Sequence, residues 1–96
     1  MMVIVSYDVS TRTPDGQRRL RRVAKTCLNH GQRVQNSVFE CLVEPDQWVG
    51  LRTELLRICK TEEDSLRFYF LGANWTRRVE HHGAKTTPNL EGPLIV

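Results

Sequence analysis

From Met2 to Val9 the chain is almost continuously apolar, as expected of a strand buried on both faces in the middle of a sheet. The loop that follows carries a helix start: Thr13 can cap, Pro14 suits the first helical position, and Asp15 favours the positive end of the dipole. Leu20, Val23, Ala24, Cys27 and Leu28 recur at i, i+3, i+4, i+7 and i+8, which predicts one apolar stripe on a helix of about four turns that Gly31 ends. From Gln32 to Glu44 the β-rich run has room for a full strand and a stub. Its alternation slips at Asn36-Ser37, which predicts a short hairpin or a sharp bend there.

Glu44-Pro45-Asp46 opens a second helix, with Trp48, Leu51, Leu55 and Ile58 on one side. The acidic segment Thr61-Glu62-Glu63-Asp64 reads as a solvated turn, because nothing in the sequence fixes three adjacent acids around a cation. Leu66, Phe68 and Phe70 then alternate with Arg67, Tyr69 and Leu71, a half-buried strand with two aromatic rings on its inner face. The resulting order is βαββαβ, the ferredoxin-like α+β sandwich with an antiparallel sheet and both helices on one face. Residues 1–72 form that core. Residues 73–96 are expected to be an appendage: Thr76 to His82 reads as a polar strand, and the apolar end Pro93-Leu94-Ile95-Val96 needs somewhere to dock. The sheet edge of a second protomer suits it by strand addition.

Composition adds three constraints. At 96 residues and 40% hydrophobic content, a single domain has a thin core, and a homodimer interface would supply burial that one chain lacks. No apolar stretch is long enough to span a membrane and Asp8 interrupts the N-terminal one, so the expectation is a cytoplasmic protein with no membrane contact. Cys27, Cys41 and Cys59 are odd in number and widely spaced, which argues for buried small apolar residues over a disulfide framework or a zinc site.

Charge is distributed unevenly. Arg12, Arg18, Arg19, Arg21, Arg22, Lys25 and Arg33 face only one acid, Asp15, between positions 12 and 33. Such a concentration fits a phosphate-binding face and equally a solvated helix face. With the apolar stripe turned to the sheet, Arg18, Arg19, Arg21, Arg22 and Lys25 are expected on the flanks and outer face, and Arg12, Arg18, Arg19, Arg22 and Lys25 are the expected nucleic-acid contacts.

Asp8 is the one acid of the first strand and sits at its carboxyl end. It can form a turn or a cap. It can also hold Mg²⁺, which takes one or two carboxylates, several waters and substrate phosphates, with a two-fold axis supplying the second carboxylate. His81 and His82, adjacent on a strand, would point to opposite faces and cannot chelate one ion. His30 beside Gly31 suits a helix C-terminal cation. An RNA-recognition-motif binder shares the element order, yet Leu66-Arg67-Phe68-Tyr69-Phe70 lacks the glycines of its signature.

Tyr7-Asp8-Val9 closing the first strand, Gln32-Arg33-Val34-Gln35-Asn36-Ser37-Val38-Phe39-Glu40-Cys41 after the basic helix, and Asp64-Ser65-Leu66-Arg67-Phe68-Tyr69 through Leu71-Gly72 together resemble the CRISPR-associated Cas2 family over nearly the full length. The tail from Val79 to Lys85 and from Leu90 to Ile95 is similar to the variant accompanying subtype C of type I systems. The resemblance implies a homodimer with exchanged C-terminal strands. It implies either an endonuclease dependent on Mg²⁺ (or Mn²⁺) or the DNA-binding subunit between CRISPR integrase (Cas-one) subunits in spacer acquisition. The metal ligand falls on Asp8, and Tyr7, Arg33, Ser37 and Phe39 belong to the same catalytic neighbourhood. The implied ligands are double-stranded DNA and possibly single-stranded RNA.

Overall fold

In the computed structural model, described for residues 1–83, four strands and two long helices follow the expected order. They are β1 (Met2–Asp8), α1 (Pro14–Leu28), β2 (Gly31–Gln35), β3 (Val38–Leu42), α2 (Pro45–Ile58) and β4 (Ser65–Phe70), followed by a single helical turn, α3 (Trp75–Arg78). The sheet order is β2-β3-β1-β4 and every pairing is antiparallel. This is the ferredoxin-like arrangement.

Register sorts the side chains between two faces. Val3, Val5 and Tyr7 pair with Phe70, Phe68 and Leu66 on one side, while Val3 and Val5 pair with Cys41 and Phe39 on the other. With alternation along each strand, these residues share the face that the helices cover. Val23, Cys27, Trp48, Leu51, Leu55 and Ile58 descend on it from α1 and α2. Trp48 meets Phe68 and Phe70 edge-on, with ring centroids 4.9 and 5.5 Å away. The opposite face carries Ile4, Ser6 and Asp8 from the central strand. Met2 on the same face is 1% exposed, Ile4 and Ser6 are half-buried and Asp8 is exposed, so β1 is buried along its helix side and, on the other side, only at its start.

The helix caps follow the sequence reading. The Thr13 hydroxyl accepts from the Gly16 amide at 3.1 Å, with Pro14 beginning α1. The Glu44 amide donates to the Gln47 side chain at 2.8 Å at the start of α2. Two glycines permit close backbone approaches. A methyl group at Gly31 would collide with the Glu40 carbonyl oxygen of β3, and one at Gly16 with the Ser10 carbonyl oxygen. Gly31 therefore serves strand pairing, and α1 ends earlier, at the Asn29 cap. Asn36-Ser37 forms the tight connection of the β2–β3 hairpin, with a register irregularity between Arg33 and Gln35.

Three expectations are corrected. The buried stripe of α1 is Gly16, Arg19, Val23 and Cys27, rotated from the one read off the apolar residues, and Leu28 is 53% exposed. Asp64 is buried and not part of a solvated turn. Thr76 to His82 is not a strand, since α3 occupies its first half. The expected docking of the apolar C-terminal end lies outside the described residues.

Candidate metal and nucleic-acid site

Asp8 ends β1 opposite Ser65 of β4. On the helix-free face the preceding rungs place Ser6 beside Arg67 and Ile4 beside Tyr69, and the Arg67 guanidinium donates to the Tyr69 hydroxyl at 3.2 Å. Asp8 borders two grooves. One runs over this face past Ser6, Ser65, Arg67 and Tyr69. The other runs under the β1–α1 loop past Arg12, Thr13, Glu62 and Glu63. An exposed carboxylate at the meeting of two polar grooves is open to a cation and to a ligand from outside.

Of the other residues expected with Asp8, Tyr7 and Phe39 stand on the opposite face. They are buried in the core with ring centroids 6.0 Å apart. The Tyr7 hydroxyl donates to the Asn36 carbonyl at 3.3 Å, and burial raises the phenol's pKa, with Cys27 adding to it and Arg33 opposing. Arg33 is exposed and lies over the Phe39 ring, 5.1 Å from its centroid, a cation–π contact at the sheet edge. Ser37 is half-buried and its carbonyl accepts from the Tyr7 amide at 3.1 Å. Tyr7 and Phe39, expected among the catalytic residues, are thus buried within one chain on the face opposite Asp8.

The cationic face divides in the same way. Arg18, Arg21, Arg22 and Lys25 are exposed on α1, and their i, i+3, i+4, i+7 spacing aligns them in one stripe. Arg18 lies 3.6 Å from Asp15. Arg12 is exposed in the groove it shares with Asp8. Arg19, expected to contact nucleic acid, is only 5% exposed and is committed to carboxylates. Its Nε and Nη2 donate to the two Asp64 oxygens at 2.8 and 3.2 Å, and its Nη1 to Asp15 at 2.6 Å. Asp64 also accepts from the Ser10 and Lys60 amides at 3.0 and 2.9 Å. Burial alone would raise the Asp64 pKa, but the Arg19 and backbone donors outweigh it and hold it below the usual carboxylate value. Ser6, Arg67 and Tyr69 also escaped the sequence reading. Alternation in β4 separates Arg67 and Tyr69 from the phenyl rings, but only the β1–β4 register places them on the face of Asp8.

Among the described residues no three His, Cys, Asp or Glu side chains gather into a metal cage. Asp8 fits Mg²⁺ or Mn²⁺ as a hard oxygen donor that leaves most positions to water, phosphate or a second carboxylate. The cysteines offer no alternative centre: all three are buried, and burial pushes Cys27 up to about 12 and Cys41 and Cys59 up to about 11.

An antiparallel sheet with two helices on one face, and a lone carboxylate at the open end of its central strand, defines an α+β protein of the ferredoxin-like class. Within that class the chain belongs to the Cas2 family: the family described as CRISPR associated protein Cas2 matches residues 1–79. It is 65% identical over 96 residues, the whole of both chains, to the CRISPR-associated endoribonuclease Cas2 of Chlorobaculum tepidum. It is 54% identical over 95 residues, 99% of each, to the CRISPR-associated endonuclease Cas2 of Halalkalibacterium halodurans. The crystal structure of Streptococcus pyogenes Cas2 at pH 6.5 superposes with a TM-score of 0.75 at 58% identity, covering 86% of this chain and all of that one. Among the described residues no helix is long and apolar enough to cross a membrane.

Proposed function

We propose that this chain is a CRISPR-associated endonuclease that acts on nucleic-acid phosphodiesters as a homodimer, with Mg²⁺ or Mn²⁺ held between the Asp8 carboxylates of two copies. The carrying observation is the exposure of Asp8 at the end of β1, on the face without helices and bordering the groove of Arg12. The endoribonuclease and endonuclease names of the relatives support the reaction class. The helix-free face supports the pairing, since Ile4, Val38 and Leu42 are left half-buried on it.

The ion, when bound, would polarise the phosphodiester and lower the pKa of an attacking water. The chain's own residues supply the rest. Asp8 would hold the ion, Arg12 would neutralise a phosphate oxygen of the substrate, and the α1 stripe would hold the neighbouring backbone. The test is divalent-dependent cleavage of single-stranded RNA and of duplex DNA by wild type and Asp8→Asn. Loss of cleavage with the dimer intact supports the reading, and equal rates overturn it.

A second reading is favoured by the α1 stripe itself: a dimeric scaffold that binds duplex DNA and bridges CRISPR integrase (Cas-one) subunits without cutting. Four aligned, exposed cations are enough for sequence-independent backbone binding. Affinity should then fall with salt at a slope of about −0.9 per phosphate neutralised, and Arg18→Glu and Arg22→Glu should weaken binding on any sequence. Spacer acquisition retained by Asp8→Asn would favour the scaffold over the nuclease.

A further inference from the structure

Asp64 is tied to the chain on both sides of Asp8. Its Oδ1 accepts from the amide of Ser10, two residues beyond Asp8, and its own peptide leads directly into Ser65, the residue paired with Asp8 across β1–β4. The Asp64 side chain is fully enclosed, and its oxygens also accept from the Arg19 guanidinium and the Lys60 amide. Arg19 in turn reaches Asp15 and Glu63, which joins the first turn of α1 to the α2–β4 loop. That first turn presses on the same segment, since Gly16 has no room for a methyl group against the Ser10 carbonyl. The Ser10 end of the β1–α1 loop is therefore held by a buried ion pair whose Asp64 borders the same groove as Asp8, while Gln17 separately supports the loop at the Thr11 carbonyl.

We propose that Arg19 and Asp64 are positioning residues for the Asp8 site: the buried pair fixes the strand end and the Ser10 turn so that the Asp8 carboxylate stands ready oriented for its cation. This rests on the reading of Asp8 as a metal ligand. It assigns to Arg19 a role distinct from that of its neighbours on α1, which hold phosphate. Groups hydrogen-bonded directly to a metal ligand commonly change metal affinity or activity by about 10–100-fold when altered, and Arg19 and Asp64, acting one step further out through the Ser10 amide, are expected at or below the lower end of that range.

The test compares Arg19→Lys, which keeps the charge but not the planar fork, and Asp64→Asn, which keeps the shape but not the charge, with Arg22→Ala on the exposed stripe. Mn²⁺ is titrated while the amide signals of Asp8 and Ser65 are followed for paramagnetic broadening, and kcat and KM are measured on RNA and duplex DNA. Arg19→Lys is expected to leave the Val3 and Val5 amides protected from exchange, to lose protection at Ser10, to weaken Mn²⁺ broadening at Asp8 by up to about tenfold, and to lower kcat at unchanged KM. Arg22→Ala should raise KM and leave Mn²⁺ binding alone. Should Asp64→Asn fail to fold, Arg19→Lys alone decides. Wild-type Mn²⁺ binding with wild-type Ser10 protection in Arg19→Lys overturns the proposal, and so does a rise in KM alone, which would make Arg19 a phosphate ligand. Should Asp8→Asn retain both Mn²⁺ binding and cleavage, the metal reading fails. The clamp is then judged on Asp8 and Ser10 amide shifts and exchange, which unchanged values in Arg19→Lys would refute.

Discussion

Tyr7 and Asp8 are neighbours in the chain and face opposite sides of the sheet: the tyrosine ring is buried against Phe39 beneath the helices, while the aspartate carboxylate is exposed at the open end of β1. The strand's two-residue alternation separates them. A motif that reads as one unit in the sequence thus splits into a buried half and an exposed half.

The buried half predicts its own mutational signature. Phe39→Ala removes a fully buried ring and should cost about 3–5 kcal/mol, measured by urea unfolding, with any loss of activity tracking the loss of folded protein. Tyr7→Phe gives up only a long 3.3 Å hydrogen bond and should cost less than about 1 kcal/mol. A collapse of turnover in a fully folded Tyr7→Phe protein would instead place the hydroxyl at the reacting atoms.

The buried ion pair makes stability depend on acid. Because the folded Asp64 carboxyl is held below its ordinary pKa, its contribution is complete above the unfolded value of about 3.9 and is lost as pH falls through the lower, folded value. Thermal unfolding followed from about pH 7 downward should therefore steepen in the acid range for wild type. The Asp64→Asn profile should be lower at neutral pH and flatter in acid, so that the two curves converge. A parallel offset at all pH values would contradict the assignment.

Two glycines give opposite expectations. Gly50 lies exposed within α2 with open space around the position of a methyl group, so Gly50→Ala should raise stability by about 0.5–1 kcal/mol. Gly16→Ala must displace the Ser10 backbone and should cost about 1–3 kcal/mol. Denaturant midpoints of the two variants, measured side by side, check both signs.

Buried thiols with pKa values of about 12 for Cys27 and about 11 for Cys41 and Cys59 carry almost no thiolate near neutrality, and the thiolate is the nucleophile. An aromatic disulfide reagent should label none of the three in the folded protein and all three in guanidinium. Rapid labelling of a single cysteine under native conditions would show a local opening at that element.

The element order, both long helices, the caps at Thr13 and Pro14 and the hairpin at Asn36-Ser37 were legible in the sequence because each rests on neighbours within a few residues. Apolar period, turn chemistry and capping are local properties, and they also singled out Asp8 as the lone acid of its strand. Arg19 and Asp64 were not legible as a pair. An arginine at the i−4 position from Val23 lies on the buried stripe of α1, but only a carboxylate arriving 45 residues later makes burial tolerable there, and a charge that pairs across the fold leaves no periodic trace. The company of Asp8 was decided in the same way. Arg67, Tyr69 and Ser6 share its face through the β1–β4 register, which is set by packing between distant segments and which no window along the chain contains.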